Sequence, residues 1–152
     1  MSNPGAIIKA LQDTLQANSG IVTTCGISAN NILLGLRSAN YEFPCIILEP
    51  VSLIEDTTSD IQATRFLELH ISLFAAVKVR DDEKIVAGDD TTKGILDIEN
   101  YIKAAISATP QLGLTDIYFT YILSTNYANI NFPIRELEME IKVTFKQTAA
   151  SR

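Results

Sequence analysis

The sequence predicts an α+β fold: a mainly antiparallel β-sheet with two principal helices packed on one face. Three observations carry this. Two segments alternate strictly between apolar and polar residues, Gln62–Val79 and Pro133–Lys146. Two others, residues 4–17 and 91–108, place apolar residues at helical spacing. The strand segments are joined mostly by turns rather than crossover helices, which favours antiparallel pairing.

The first helix is expected over residues 4–17. Asn3 suits its N-cap and Pro4 its first turn, while Ile7, Ile8, Leu11 and Leu15 form one stripe. Asn18-Ser19-Gly20 ends it. A short strand is expected at Ile21–Cys25, and Ser28–Leu36 suits either a short helix or a strand. Pro44 opens an apolar, β-branched run to Ile54 that reads as a strand, with Pro50 marking an edge or a bulge. In Gln62–Val79, Leu67, Leu69, Ile71, Leu73, Ala75, Val77 and Val79 define a core face, opposite Glu68, His70, Ser72 and Lys78. Arg80 to Asp90 is a charged connection. Thr91–Ala108 is the second helix, capped by a residue among Asp89, Asp90, Thr91 and Thr92 and stopped by Pro110 and Gly113. Ile117–Leu123 is a strand rich in Tyr and Phe, and Asn126–Asn131 a turn or loop. In the last strand Leu137, Met139, Ile141, Val143 and Phe145 point inward. Residues 1–147 are expected to form one domain, followed by a loose tail over 148–152.

Two strands echo each other as Arg-x-Leu-Glu-apolar-x-Ile-x-apolar, from Arg65 and from Arg135. Two neighbouring strands with the same burial problem account for this better than a repeat. Length is more informative. Eighteen alternating residues span roughly 60 Å at about 3.3 Å each. A compact domain of 152 residues is only about 40 Å across. Either the strand bends near Phe74–Ala76, or a hairpin or strand end projects and a neighbouring subunit covers it. Phe66 and Phe74 fall on the wetter face. They mark an interface, or else a second layer or the 28–36 segment covers them.

Composition excludes several functions. There are 12 Lys+Arg against 18 Asp+Glu, a net charge of −6, which does not suit a non-specific binder of DNA or of a membrane surface. No uncharged apolar stretch reaches the roughly 18–20 residues a membrane span needs. Residues 1–5 lack the basic start of a secretory signal. Cys25 and Cys45 have no paired spacing and read as small buried hydrophobes, which fits a reducing cytoplasm as the place of synthesis and assembly. The single histidine, His70, sits on a strand without a nucleophile elbow and reads as a surface or interface residue. The acid groups Glu55-Asp56, Asp81-Asp82-Glu83 and Asp89-Asp90 could in principle hold Mg²⁺ or serve acid–base chemistry, but adjacent acids in loops are usually caps and turns. No catalytic residue, cofactor site or metal site is expected.

The Tyr41-Glu42-Phe43-Pro44 start of one strand, the long alternating Arg65–Val79 strand, the acidic loop, the Lys93–Ala108 helix and the Asn-Phe-Pro-Ile-Arg-Glu-Leu-Glu-Met start of the last strand together resemble the tail terminator (tail completion) proteins of long-tailed bacteriophages. The resemblance implies a structural virion protein assembled in the host cytoplasm. It implies a hexameric homo-oligomer at the head-proximal end of the tail that ends tube polymerisation. Its partners would be the tail tube protein and the head connector or neck protein, with DNA passing through the lumen without specific binding. On this reading Phe66, Phe74, Arg80, Asp81, Asp82, Glu83, Asp89 and Asp90 are the candidate contacts between subunits or to the tube. Six copies at −6 each would carry about −36, a surface that repels passing DNA. The alternatives are another connector or tube-type subunit, a small enzyme using the paired carboxylates, or a cytoplasmic binding module.

Overall fold

The computed structural model describes residues 3–35, 42–56, 64–128 and 133–148. Helix α1 (Pro4–Gln16) starts as its sequence dictates, with the Asn3 side chain accepting a hydrogen bond from the Ala6 amide at 2.8 Å. Its stripe of Ile7, Ile8, Leu11 and Leu15 is buried. The chain continues through strands β1 (Ile32–Leu34), β2 (Cys45–Asp56) and β3 (Thr64–Lys78), the short helix α2 (Asp82–Val86), helix α3 (Ile95–Ala108), and strands β4 (Ile117–Ala128) and β5 (Ile134–Thr148).

The five strands form one sheet in the order β1-β2-β3-β5-β4. Among the described residues only β1 and β2 pair in parallel; the other pairs are antiparallel. The α+β, mainly antiparallel expectation therefore holds. The helix-side face of the sheet supplies the principal core, in which Leu67 through Val77 of β3 and Leu137 through Phe145 of β5 alternate inward against the stripes of α1 and α3. A register irregularity between Pro50 and Ser52 bears out the bulge expected at Pro50. The echo also has its explanation: β3 and β5 are neighbours, and the shared isoleucines Ile71 and Ile141 stand opposite each other.

Four local expectations need correction. Ile21–Cys25 is not a strand: Gly20–Thr24 forms a π-helical turn. Asn18 drives it locally, its side chain accepting from the Ile21 amide at 3.0 Å and its carbonyl from the Val22 amide at 3.0 Å, so local hydrogen bonding overrides the β-propensity of Ile-Val-Thr-Thr. Gly20 lies against Tyr101, where a Cβ would come within 2.6 Å of the ring. Helix α3 starts at Ile95, not Thr91: the Asp89 carboxylate accepts from the Thr91 and Thr92 amides at 2.9 and 2.7 Å, and the Asp89 amide donates to the Thr92 carbonyl at 2.7 Å, closing a separate turn before the helix. The helix is instead closed by Asp97, which accepts from the Gly94 amide at 3.0 Å. Asn126 and Tyr127 belong to β4, where Glu138 and Leu137 of β5 pair with them. Gln147 and Thr148 extend β5 against Arg65 and Thr64; the remaining tail, residues 149–152, lies outside the described residues.

The ambiguous 28–36 segment resolves into a 3₁₀ turn at Ala29–Asn31 followed by β1. Two glutamines of α1 hold it: Gln12 donates to the Ile32 carbonyl at 2.8 Å and Gln16 to the Ala29 carbonyl at 3.0 Å. Gly35 makes the last bond to β2, its amide donating to the Leu48 carbonyl at 3.0 Å. Its φ is 113°, a conformation that favours glycine.

Candidate functional site

The sequence-predicted contact residues do not form one site. Phe66 pairs with Lys146 at one end of β3, whereas Arg80 to Asp90 follow the other end of that strand. Fourteen residues at about 3.3 Å each place the two groups more than 40 Å apart along the sheet. Phe66 is half-buried and stacks at 5.5 Å on Tyr118.

Phe74 differs from the expectation that it lies on a wetter face. It is 1% exposed. With Cys45, Ile47 and Ala76 it forms a second small core on the face away from the helices, covered by Leu33 and Phe43. The 28–36 segment is thus part of what covers it. Sequence periodicity placed Phe74 on the correct face but could not show that β1 would bring Leu33 over it.

The acids act as local caps and turn formers. Asp81 accepts from the amides of Glu83 and Lys84 at 3.1 and 3.0 Å, starting α2. Asp89 accepts from Thr91 and Thr92 and pairs with Lys84 at 3.3 Å. These amide bonds, led by that of Thr92, hold its carboxyl well below the ordinary range. Glu83, Asp90 and Arg80 are exposed. Of Asp82 only the backbone is described, as the first residue of α2. His70 faces away from the helices, between Glu140 at 2.9 Å and Glu68 at 3.5 Å. Burial raises the thiols of Cys25 and Cys45 to about 11, so at neutral pH both stay protonated and weakly nucleophilic. Among the described residues, no group of three or more His, Cys, Asp or Glu is arranged to hold a metal ion, and no helix is long and apolar enough to cross a membrane.

The feature that the sequence reading passed over is β4. It forms one edge of the sheet, so one side of its backbone has no strand partner among the described residues. Its twelve residues, Ile-Tyr-Phe-Thr-Tyr-Ile-Leu-Ser-Thr-Asn-Tyr-Ala, contain no charge, proline or glycine. Yet Tyr118, Phe119, Tyr121, Leu123 and Tyr127 are 42–53% exposed. Phe119 and Tyr121 stack with ring centroids 4.6 Å apart, and Lys142 lies 5.0 Å over the Tyr121 ring. Folded proteins normally guard such edges with lysine, proline or bulges. Here register irregularities fall at Ile117/Phe119 and Ile122/Ser124, but no charge or proline accompanies them.

Between this edge and α3 runs an open groove of about 620 Å³, lined by β4 residues together with Glu99, Lys103, Ile106 and Ser107. Its polar centre is Glu99, 6% exposed. Glu99 accepts from Lys103 at 2.5 Å and from the Tyr127 hydroxyl. Burial is the largest influence on Glu99 and by itself raises the carboxyl; the hydrogen bonds from Lys103 and Tyr127 and the lysine charge outweigh it, and the net shift is downward. Tyr127 is shifted upward by the same hydrogen bond, with burial and the Glu99 charge adding to it. The one signal in the sequence that could have found this surface is the absence of any charge over Ile117–Ala128.

No family model matches the sequence, and no curated protein matches it either. Solved structures do. One is a chain from the virion of a native gene transfer agent particle, with a TM-score of 0.64 at 8% sequence identity. The match covers 94% of this chain and 96% of that one. At this identity the likeness is one of fold, and it takes in the helices and the sheet over nearly the whole length of both chains.

Proposed function

We propose that the chain is a structural subunit of a phage-type virion, a tail terminator that forms a ring on the head-proximal end of the tail tube, ends tube growth and joins the tail to the head connector. The observation that carries this reading is the end-to-end fold likeness to a chain of the gene transfer agent virion. The sequence resemblance to tail terminators and the uncharged open edge of β4 support it from independent directions. In this role the chain works by shape. Its acids serve as caps and as surface charge, and a ring of acidic subunits presents DNA with a lumen to which it does not adhere. The exposed residues Arg80, Asp81, Glu83, Asp89 and Asp90 at one end of the sheet are proposed as contacts to the tube or connector.

Light scattering and negative-stain microscopy of the purified chain, alone and with its tube protein, test the reading. Discrete rings that cap tubes are expected. Spontaneous long tubes would identify a tube-type subunit instead. A chain that stays monomeric even on tube ends would overturn the assignment.

A further inference from the structure

We infer that β4 is completed by a second copy of this chain, through the outer edge of the far half of β2. The sheet has two open edges among the described residues. One is β4 along its full length. The other is β2 beyond Leu48, because among the described residues β1 pairs only with Ile46–Leu48 and its last bond to β2 runs from the Gly35 amide to the Leu48 carbonyl.

Both edges carry exposed apolar side chains: Tyr118, Phe119, Tyr121, Leu123 and Tyr127 on β4, and Val51, Leu53 and Ile54 on β2. Large side chains bury about 150–250 Å² each when covered. Five that stand about half exposed therefore leave roughly 500 Å² uncovered, more than half of the ~800 Å² that each partner contributes to a stable interface. These side chains lie on both faces of the edge, Tyr121 under Lys142 on one and Tyr127 at Glu99 on the other, so they flank the open backbone on either side.

Charge selects between the ways of pairing two edges. From Glu49 to Asp56, β2 carries three carboxylates and no base. Two such edges side by side would set like charges against each other. β4 itself carries no charge; Lys142 and the Glu99-paired Lys103 flank it on one stretch and Glu138 and Glu140 of β5 on another, so it meets the acidic edge with fewer like charges than a second β2 would. Pairing β4 with a second β4 would cover one edge and leave Val51, Leu53 and Ile54 bare on both copies. Pairing β4 with the neighbour's β2 covers both kinds of edge. It is also head-to-tail, since the two edges lie at opposite sides of one sheet, and head-to-tail contacts close into rings when the rotation per subunit allows. The pairing stands on the sheet edges; closure into a terminator ring rests on the function proposed above.

Two full-length variants test it, Leu123→Lys in β4 and Leu53→Lys in β2, with circular dichroism to verify folding and native mass spectrometry to read assembly. Each alone is expected to lose the wild-type assembly. Mixed in equal amounts, they should give a one-to-one dimer, because each retains the edge that the other lacks. Wild-type assembly by either variant would overturn the inference, as would a Leu53→Lys dimer that Leu123→Lys abolishes, or a wild-type chain that never associates. If the wild type forms open filaments that both variants abolish, the pairing stands and the ring reading falls. A Leu53→Cys/Leu123→Cys double variant gives a second measurement. A flexible thiol cross-linker long enough to span a few residues of register should produce a ladder of covalent oligomers, and cross-linking no stronger than in either single variant would overturn the pairing even if the lysine variants fail to fold.

Discussion

Glu99 concentrates the electrostatics of the groove in one side chain. A buried carboxylate survives only when its charge is matched, and here Lys103 and Tyr127 match it. Its carboxyl is lower in the folded state than in the unfolded chain. A depressed acid gives stability that is complete above its unfolded value, near 4.3, and that fades as pH falls through the folded value. Glu99→Gln is therefore expected to lower the melting temperature at pH 7, and the difference from wild type should shrink below about pH 4. A thermal melt series in pH reads this directly; an unchanged difference at pH 3 would mean that the effect is one of packing.

At the scale of elements, the face of the sheet away from the helices is not uniform. Around Cys45, Ile47, Phe74 and Ala76 it is a true core under Leu33 and Phe43. Farther along, it carries Glu68, His70, Lys142 and Glu140 as a linked polar surface. The change follows from β1, which is only three residues long and covers just one end of its neighbour. Phe74→Ala is accordingly expected to destabilise the isolated chain by about 3–5 kcal/mol, the usual cost of emptying a large core position, as read by urea unfolding. A surface role for Phe74 would instead leave unfolding unchanged.

For the whole molecule, the net charge and the sheet edges oppose each other. Each copy carries −6, so copies repel at low ionic strength. Of the two edges proposed to join them, β4 is uncharged and aromatic, and β2 brings Val51, Leu53 and Ile54 beside its carboxylates. Salt screens the repulsion and leaves apolar burial intact, so raising salt from about 0.01 to 0.15 M, which shortens the screening length from about 30 to 8 Å, should increase the assembled fraction in light scattering. An interface built on ion pairs would respond in the opposite direction.

Much of this fold is legible in the residues themselves, for a physical reason. Periods of two and of 3.6 are local burial patterns, and they located β3, β5, α1 and α3 because each of these elements buries one face. The cap at Asn3, the bulge at Pro50 and the turn-forming role of Asp81 and Asp89 are likewise short-range chemistry. Most of what fails from sequence depends on a partner distant in the chain. The Ile21–Cys25 segment reads as a strand until the local bonds to Asn18, together with the packing of Gly20 on the distant Tyr101, claim it. Asn126 and Tyr127 read as a turn until β5 pairs with them. Phe74 reads either as an interface residue or as one covered by another segment until β1 is seen to cover it. The candidate site shows the same division. The sequence by itself determined an acidic α+β chain whose long strands alternate between a core face and a wetter one. Only the tertiary structure decided that the uncharged strand lies at an edge, because strand order is set by contacts between segments far apart in the chain, and no local pattern encodes which strand is left without a neighbour.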